Sequence, residues 1–275
     1  MPLALHKRLA TVVAALAILG VPATSAQGPA SGSADWVARQ IQDRDTGRDS
    51  RLDMQMRMYD KQGRMRERHL RLTGYRGVEK GKRADRLLIR FLFPNDIRGT
   101  GFLVLEHPGA DDERFLYLPA LGRVRRIAGE EKQDSFVGSD FTYEDIGGRE
   151  LTDYVYAILD SAASWTDPGG KSWPAWKLES RAKDPNANYP RVVSTVLKDV
   201  FVVVAADNFN ARNEIVKTFQ VRKLEQVTGI WTALDLVMQN LRDRTRTEIS
   251  VTRVEYNVGL READFTRRTL EQGAQ

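Results

Sequence analysis

The chain has 275 residues, 29% of them charged, with 42 basic against 37 acidic side chains and no cysteine. Without cysteine no disulfide can form, and the Cys-based metal spacings are excluded. The basic excess is mild and alternates in sign with acidic residues, which excludes the long basic block of a nucleic-acid-binding face.

The first 26 residues read as a secretory signal. MPLALHKR is a short basic start, LATVVAALAILGV is an apolar run, and PATSA supplies small residues for cleavage after Ala26. The run falls short of the roughly 20 residues a membrane-spanning helix needs. Removal of the signal takes Lys7 and Arg8 with it and lowers the formal net charge from +5 to +3. No cysteine follows it to carry a lipid, so the mature chain is expected to be soluble in the periplasm. A Gly/Ser/Ala-rich leader, 27–34, then precedes a folded domain expected over 35–275.

In SADWVARQIQDRDTG, Ser33 is a plausible N-cap, and Trp36, Val37, Gln40 and Ile41 share one helical face. One short amphipathic helix is expected, ending near Gly47. From Arg51 the period becomes two. Leu52, Met54, Met56 and Met58 alternate with Arg51, Asp53, Gln55, Arg57 and Tyr59, the pattern of a half-buried strand. DKQG turns the chain into the polar strand MRERHLRLTGY. RLLIRFLF (86–93) follows, with Leu87, Ile89, Phe91 and Phe93 on one face, then FLVLEH (102–107). RFLYLPALGRVRRI (114–127) gives two short strands broken at Pro119–Gly122.

The acidic, aromatic stretch SDFTYEDIGGRELTDY interrupts this rhythm. Thr142 with Asp145 fits a capping box over a single helical turn ended by Gly147–Gly148. Strands resume over 154–159, 173–182, 191–198, 201–209, 214–227, 231–241 and 245–257, separated by turn signals such as DPGG and KDPNANYP. About a dozen short strands in one antiparallel run argue for a mainly β barrel or sandwich. A lipid-embedded barrel is disfavoured, because RMRERHLRL and RTRTEISVTRVE place charge on outward faces.

Chemistry-bearing motifs are absent from the pattern. His69 and His107 stand far apart, and no GxSxG elbow, GxxxxGK[ST] loop or GxGxxG turn occurs. The pairs Asp111–Asp112 and Glu144–Asp145 are better explained by turns and caps than by general acid–base work. No enzyme activity, cofactor or metal is expected. The trio Met54, Met56 and Met58 suits either ordinary core or an adaptable apolar surface, since thioether side chains repack readily.

LYLPALGRVRRI followed by KQDSFVGSDFTYEDI closely resembles the LolA-like outer-membrane lipoprotein-sorting protein family. FLFPNDIRGTGFLVLE (91–106), VTGIWTALDLVMQNL (227–241) and YNVGLREADFTRRTLE (256–271) agree, so the likeness runs from about Ser33 to the C-terminus. The resemblance implies a single strongly curved antiparallel sheet, an incomplete barrel of about eleven strands, with short helices on its concave side. It also implies a periplasmic carrier of lipid or lipoprotein acyl chains. Its partners would be an inner-membrane transporter of the RND type and an outer-membrane acceptor, with no nucleic acid involved. The chain is longer than the strict LolA pattern, and no single arginine can be matched to the one that latches that family's lid.

On this reading the cavity lining is expected from Leu52, Met54, Met56, Met58, Leu87, Ile89, Phe91, Phe93, Phe102, Val104, Phe115 and Tyr117, a set that plain core packing would share. Trp36, Val37, Ile41, Phe136 and Phe141 are lid candidates. Arg123, Arg125 and Arg126 are expected to meet Asp140, Glu144 and Asp145, either as a salt-bridge latch or as a site for an anionic headgroup. A lipid-sensing module that binds a partner without net transfer is the alternative function.

Overall fold

The computed structural model describes residues 29–272; the expected signal, 1–26, lies outside the described residues. The first element is helix α1 (Ala34–Asp43), capped by the Ser33 hydroxyl, which accepts from the Trp36 amide at 3.2 Å. It ends four residues before Gly47, at an extended Arg44.

The sheet follows. Its first half comprises β1 (Asp49–Tyr59), β2 (Met65–Tyr75), β5 (Arg86–Phe93), β6 (Gly101–Leu105), β7 (Glu113–Leu118) and β8 (Arg123–Arg126), with β3 (Val78–Glu79) and β4 (Lys82–Arg83) forming a separate small hairpin between β2 and β5. After the short helix α2 (Tyr143–Gly147) come β9 (Tyr154–Asp160), β10 (Ser164–Thr166), β11 (Ser172–Ala182), β12 (Arg191–Leu197) and β13 (Val203–Phe209). The run ends with β14 (Ile215–Val227), β15 (Ile230–Asn240), β16 (Thr245–Tyr256) and a final helix α3 (Arg267–Gln272).

Fourteen strands form one antiparallel sheet in the order β10-β11-β12-β13-β14-β15-β16-β1-β2-β5-β6-β7-β8, with β9 also pairing β11. The count exceeds the expected eleven, and β10 is a strand the pattern did not show: β9 and β10 lie along successive parts of β11. The two ends, β8 and β9–β10, do not pair, so the barrel stays open. Register shifts at Asp53/Met54, His69/Leu70, Lys177/Leu178, Thr195/Val196, Asn208/Phe209 and in β14 after Val221 recur around the sheet. Each such bulge bends its strand and increases local twist, which is how an open sheet of this size curls.

Directly paired residues of an antiparallel ladder point to the same face. Leu178, Ser194, Ala206, Phe219, Met238, Thr247 and Met58 form one such row across seven strands. The methionines of β1 therefore look onto the same concave face as Leu178, against which α1 packs Val37 and Ala38. On the outer face β1 shows Asp53, paired with Arg71 at 2.6 Å. Exposed pairs of this kind contribute little each, about 0–1 kcal/mol, but they keep the outer surface wet.

One patch of the convex face is not wet. The C-terminal segment lays Phe265 and Leu270 onto Leu103, Phe115, Tyr75 and Leu88. Arg90, buried on β5, anchors it by donating to the carbonyls of Leu270 (2.7 Å) and Thr269 (2.8 Å). This arrangement corrects the expected lining. Phe115 and Tyr117 belong to the convex cluster, and the concave positions of β7 are Leu116 and Leu118. The pairings Phe102 with Leu116 and Leu103 with Phe115 fix that phase. In RFLYL both faces are covered, so the apolar run carries no alternation to read. Phe93 departs as well: beyond the β2–β5 register shift it is 45% exposed and sits by His69, not in the concave cluster.

Candidate functional site: a plugged concave face and its mouth

The concave face is apolar from β15 through β7. Met54, Met56, Met58, Leu70, Ile89, Phe91, Phe102, Val104, Leu116, Met238 and Ile249 are buried in one cluster, with Leu52 and Leu87 partly buried against it. What covers them is not another layer of the sheet but the segment 134–147. Its Phe136, Phe141 and Tyr143 complete the cluster, with Val137 and Ile146 packed at its margin. The Phe136 ring lies 5.8 Å from Phe91, 5.4 Å from Phe102 and 5.6 Å from Tyr143.

The local sequence makes this segment a compact plug. The Phe136 amide donates to the Phe141 carbonyl at 2.7 Å, and the Tyr143 amide to the Asp134 carbonyl at 3.1 Å. The tight reversal between them needs left-handed backbone at Val137 and Gly138, a conformation glycine tolerates and valine resists. The expected capping box then starts α2: the Asp145 amide donates to the Thr142 hydroxyl (3.0 Å) and the Thr142 amide to the Asp145 carboxylate (2.9 Å).

Polar groups pin the plug to the sheet at its tip. The buried Asp140 carboxylate accepts from the hydroxyls of Thr245 and Thr247, the latter at 2.7 Å, while the Asp140 amide donates back to Thr247 at 2.9 Å. Lys217 donates to the Asp140 carbonyl at 2.6 Å, and burial pulls its pKa below the usual lysine value. Arg68, on the concave face opposite Met56, donates to the Val137 carbonyl and lies 5.7 Å over the Phe91 ring. Burial lowers its pKa too.

The expected latch is therefore corrected. Arg123, Arg125 and Arg126 lie on the edge strand β8 and are exposed. Arg125 pairs with Glu131 (2.9 Å), Asp145 serves the capping box and Arg149 (2.9 Å), and Asp140 is held by threonines and Lys217. Glu144 instead lines the clefts beside β9 and β8. Edge-strand arginines face water because nothing packs beyond them. The sequence reading missed Arg68, Thr245 and Thr247. Part of that signal was present in the period of two, since Thr247 shares the face of Ile249 and Val251, but the flanking charges masked it. Of the lid candidates, Phe136 and Phe141 enter the plug. Trp36 and Val37 cover the far end of the same face, with Trp36 5.4 Å from Phe201.

Beyond the plug, between the end of α1, the ends of β1, β2, β5 and β6, and the end of α2, opens a cavity of about 500 Å³. Its floor continues the concave face through Leu72, Leu87, Val104 and Ile146, with Ile41 from α1. Arg44, Arg48, Arg76 and Arg83 stand around its rim with Asp49, Asp85 and Glu106. Burial raises the Glu106 carboxyl above the usual range. Next to it Arg114 bridges the buried Asp112 (3.0 Å) and the Gly148 carbonyl (3.1 Å). Gly147 must lack a Cβ there, since one would approach the Arg114 guanidinium to 2.7 Å.

A family model described only as that of an uncharacterized protein matches residues 83–272, well over half of the chain. The chain belongs to that family. No curated protein matches it. Among solved structures it is similar to a DUF1329 family protein from Desulfovibrio piger, at 29% identity and a TM-score of 0.77 over 86% of this chain and 97% of the other. It is similar as well to a domain from Vibrio parahaemolyticus described as an outer membrane lipoprotein-sorting protein, at 28% identity and TM-score 0.76 over 87% and 98% of the two chains. A LolA superfamily protein from Nitrosomonas europaea shares the fold at TM-score 0.64, with 13% identity over 86% and 99%. The resemblance to outer-membrane lipoprotein-sorting proteins carried by LYLPALGRVRRI and SDFTYEDI is borne out as a likeness, and so is the expected open, mainly β sheet of LolA-like fold. Among the described residues no helix is long and apolar enough to cross a membrane.

Proposed function

We propose that this protein is a periplasmic carrier that holds lipid or lipoprotein acyl chains on the concave face of its open sheet. The observation that carries this reading is the plug. An apolar face built of methionine, leucine and phenylalanine is closed by a short segment whose tip is pinned by a few polar contacts, not by the sheet itself. Withdrawal of Phe136, Phe141 and Tyr143 would expose a continuous apolar trough. Each methylene kept from water is worth about 0.8 kcal/mol, so a long acyl chain needs on the order of 10 kcal/mol of cover in the periplasm. The methionines on β1 would repack around chains of different length. The likeness to a lipoprotein-sorting domain supports the same role, and an inner-membrane transporter of the RND type and an outer-membrane acceptor would be its partners.

The absence of native cysteine makes a clean test possible. Asp140→Cys combined with Thr247→Cys replaces two side chains that touch at 2.7 Å. Oxidation should fasten the plug and abolish uptake of a fluorescent fatty acid, and reduction should restore it. Equal uptake in both states would refute the trough as the binding site. Net delivery of the bound fatty acid to acceptor vesicles distinguishes a carrier from a sensor.

A further inference from the structure

The rim of the mouth cavity carries more positive charge than its own acids neutralise. Arg83 spends its guanidinium on Asp85 at 2.7 Å, Arg48 lies beside Asp49 at 3.4 Å, and Arg86 is taken by Glu262 at 2.7 Å. Arg44 and Arg76 are different. Arg44 donates to the Trp231 carbonyl at 3.2 Å, and Arg76 donates to the Arg44 carbonyl at 2.6 Å and the Thr46 hydroxyl at 3.0 Å. Among the described residues neither is in contact with a carboxylate, and the buried Nε of Arg76 has no acceptor at all. Burial, with Arg83 and Arg76 close by, lowers the Arg44 pKa despite the opposing pull of Tyr256 and the Asp45 carboxylate. A half-buried guanidinium with no carboxylate bonded to it is costly, and two in one cavity favour an anion.

The opposite wall shows what else the occupant must be. Leu72, Leu87, Val104 and Ile146 make an apolar floor that runs on beneath the plug. A small hydrophilic anion would leave that floor wet, whereas an amphiphile satisfies both halves. At about 500 Å³ the cavity lies within the usual range for a ligand site, roughly 300–1,000 Å³.

We infer that Arg44 and Arg76 form a headgroup subsite for the acidic head, phosphate or carboxylate, of a bound acyl amphiphile, with its chain directed over Leu72 and Leu87 toward the plugged trough. The subsite rests on the carrier reading and adds to it a selectivity for anionic cargo. Arg76 and Arg44 each bring to the cavity wall a guanidinium that no carboxylate bonds. Planar guanidinium forks suit phosphate and carboxylate oxygens in a way a single ammonium does not.

The test titrates dodecyl phosphate and dodecyl maltoside, both below their micellar concentrations, and inorganic phosphate into the whole protein. Dodecyl phosphate is expected to bind at least about tenfold more tightly than the maltoside, the equivalent of one charge-assisted hydrogen bond. The Arg44→Gln/Arg76→Gln double variant should lose that preference while keeping its affinity for the maltoside, which also reports that it is folded. Arg44→Lys/Arg76→Lys should keep part of the preference. Equal affinity of the wild type for the two amphiphiles overturns the headgroup subsite but leaves the carrier reading standing. Binding of neither amphiphile overturns both. Inorganic phosphate binding as tightly as dodecyl phosphate would show a free-anion site and overturn the amphiphile.

Discussion

If segment 134–147 is a plug and not an inseparable part of the core, Phe136→Ala should loosen it while leaving the sheet intact. Phe136 is fully buried and touches three aromatic rings at 5.4–5.8 Å. A buried phenylalanine removes roughly 150–250 Å² from water, about 4–6 kcal/mol at 25 cal/mol per Å². That figure is an upper bound, because the undocked segment would keep some contacts of its own. Measured phenylalanine-to-alanine losses run about 3–5 kcal/mol, so about 3 kcal/mol is a fair expectation for plug docking. Hydrogen exchange reads it directly. The Asp140 amide, bonded across to Thr247, reports docking, while the amides of Met54, Met56 and Met58 report the sheet. A loss of about 3 kcal/mol corresponds to a protection factor lower by roughly a hundredfold at Asp140, with the β1 amides unchanged. Equal loss of protection in β1 and at Asp140 would refute the idea of a separable plug.

Two further outcomes follow from the geometry. Gly101→Ala should free the C-terminal segment, since the new Cβ would meet Leu270 at 2.5 Å and Arg90 at 2.8 Å. A cost of about 1–3 kcal/mol should appear as faster tryptic cleavage after the exposed Arg267 and Arg268; unchanged cleavage would argue that the neighbours simply shift. Glu150 provides a pH signature. Burial and the nearby Asp112, followed by Glu106 and Asp153, push its carboxyl up to about 7. With its folded pKa raised above the unfolded 4.5, the native state holds the extra proton, so stability should fall as pH rises from about 4.5 to about 7 and then level off. Partial exposure reduces the effect to about 1 kcal/mol. Denaturation midpoints of Glu150→Gln should not show this slope between pH 5 and 7.5, and persistence of the slope would assign it to another group.

Much of the framework was legible in the sequence. The alternation through Leu52, Met54, Met56 and Met58 named one strand and its buried face. Ser33 and the Thr142–Asp145 box named two helix starts, because capping is a contact between residues three apart. The resemblance carried by SDFTYEDI brought in the open sheet. Errors fell where a face or partner depended on distant chain. Phe115 and Tyr117 were set on the wrong side because RFLYL is apolar on both faces, and only the C-terminal segment arriving on the convex side explains why. Arg125 and Asp145 were paired because they are near in sequence, yet closer partners at Glu131 and Arg149 claimed them.

What the sequence by itself determined is local: periods, caps and turns, and hence which residues form strands and which faces are apolar. The tertiary structure decided what covers each face. Asp140 reaches Thr247 across 107 residues, Arg90 reaches Leu270 across 180, and Arg44 reaches Trp231 across 187. These contacts depend on how bulges curl the sheet and where its edges stop, and a periodicity of two contains neither. The plug, the anchored C-terminus and the basic mouth all arise from that curvature. Bringing remote polar groups into one dry space makes their unmet charges and hydrogen bonds energetically significant.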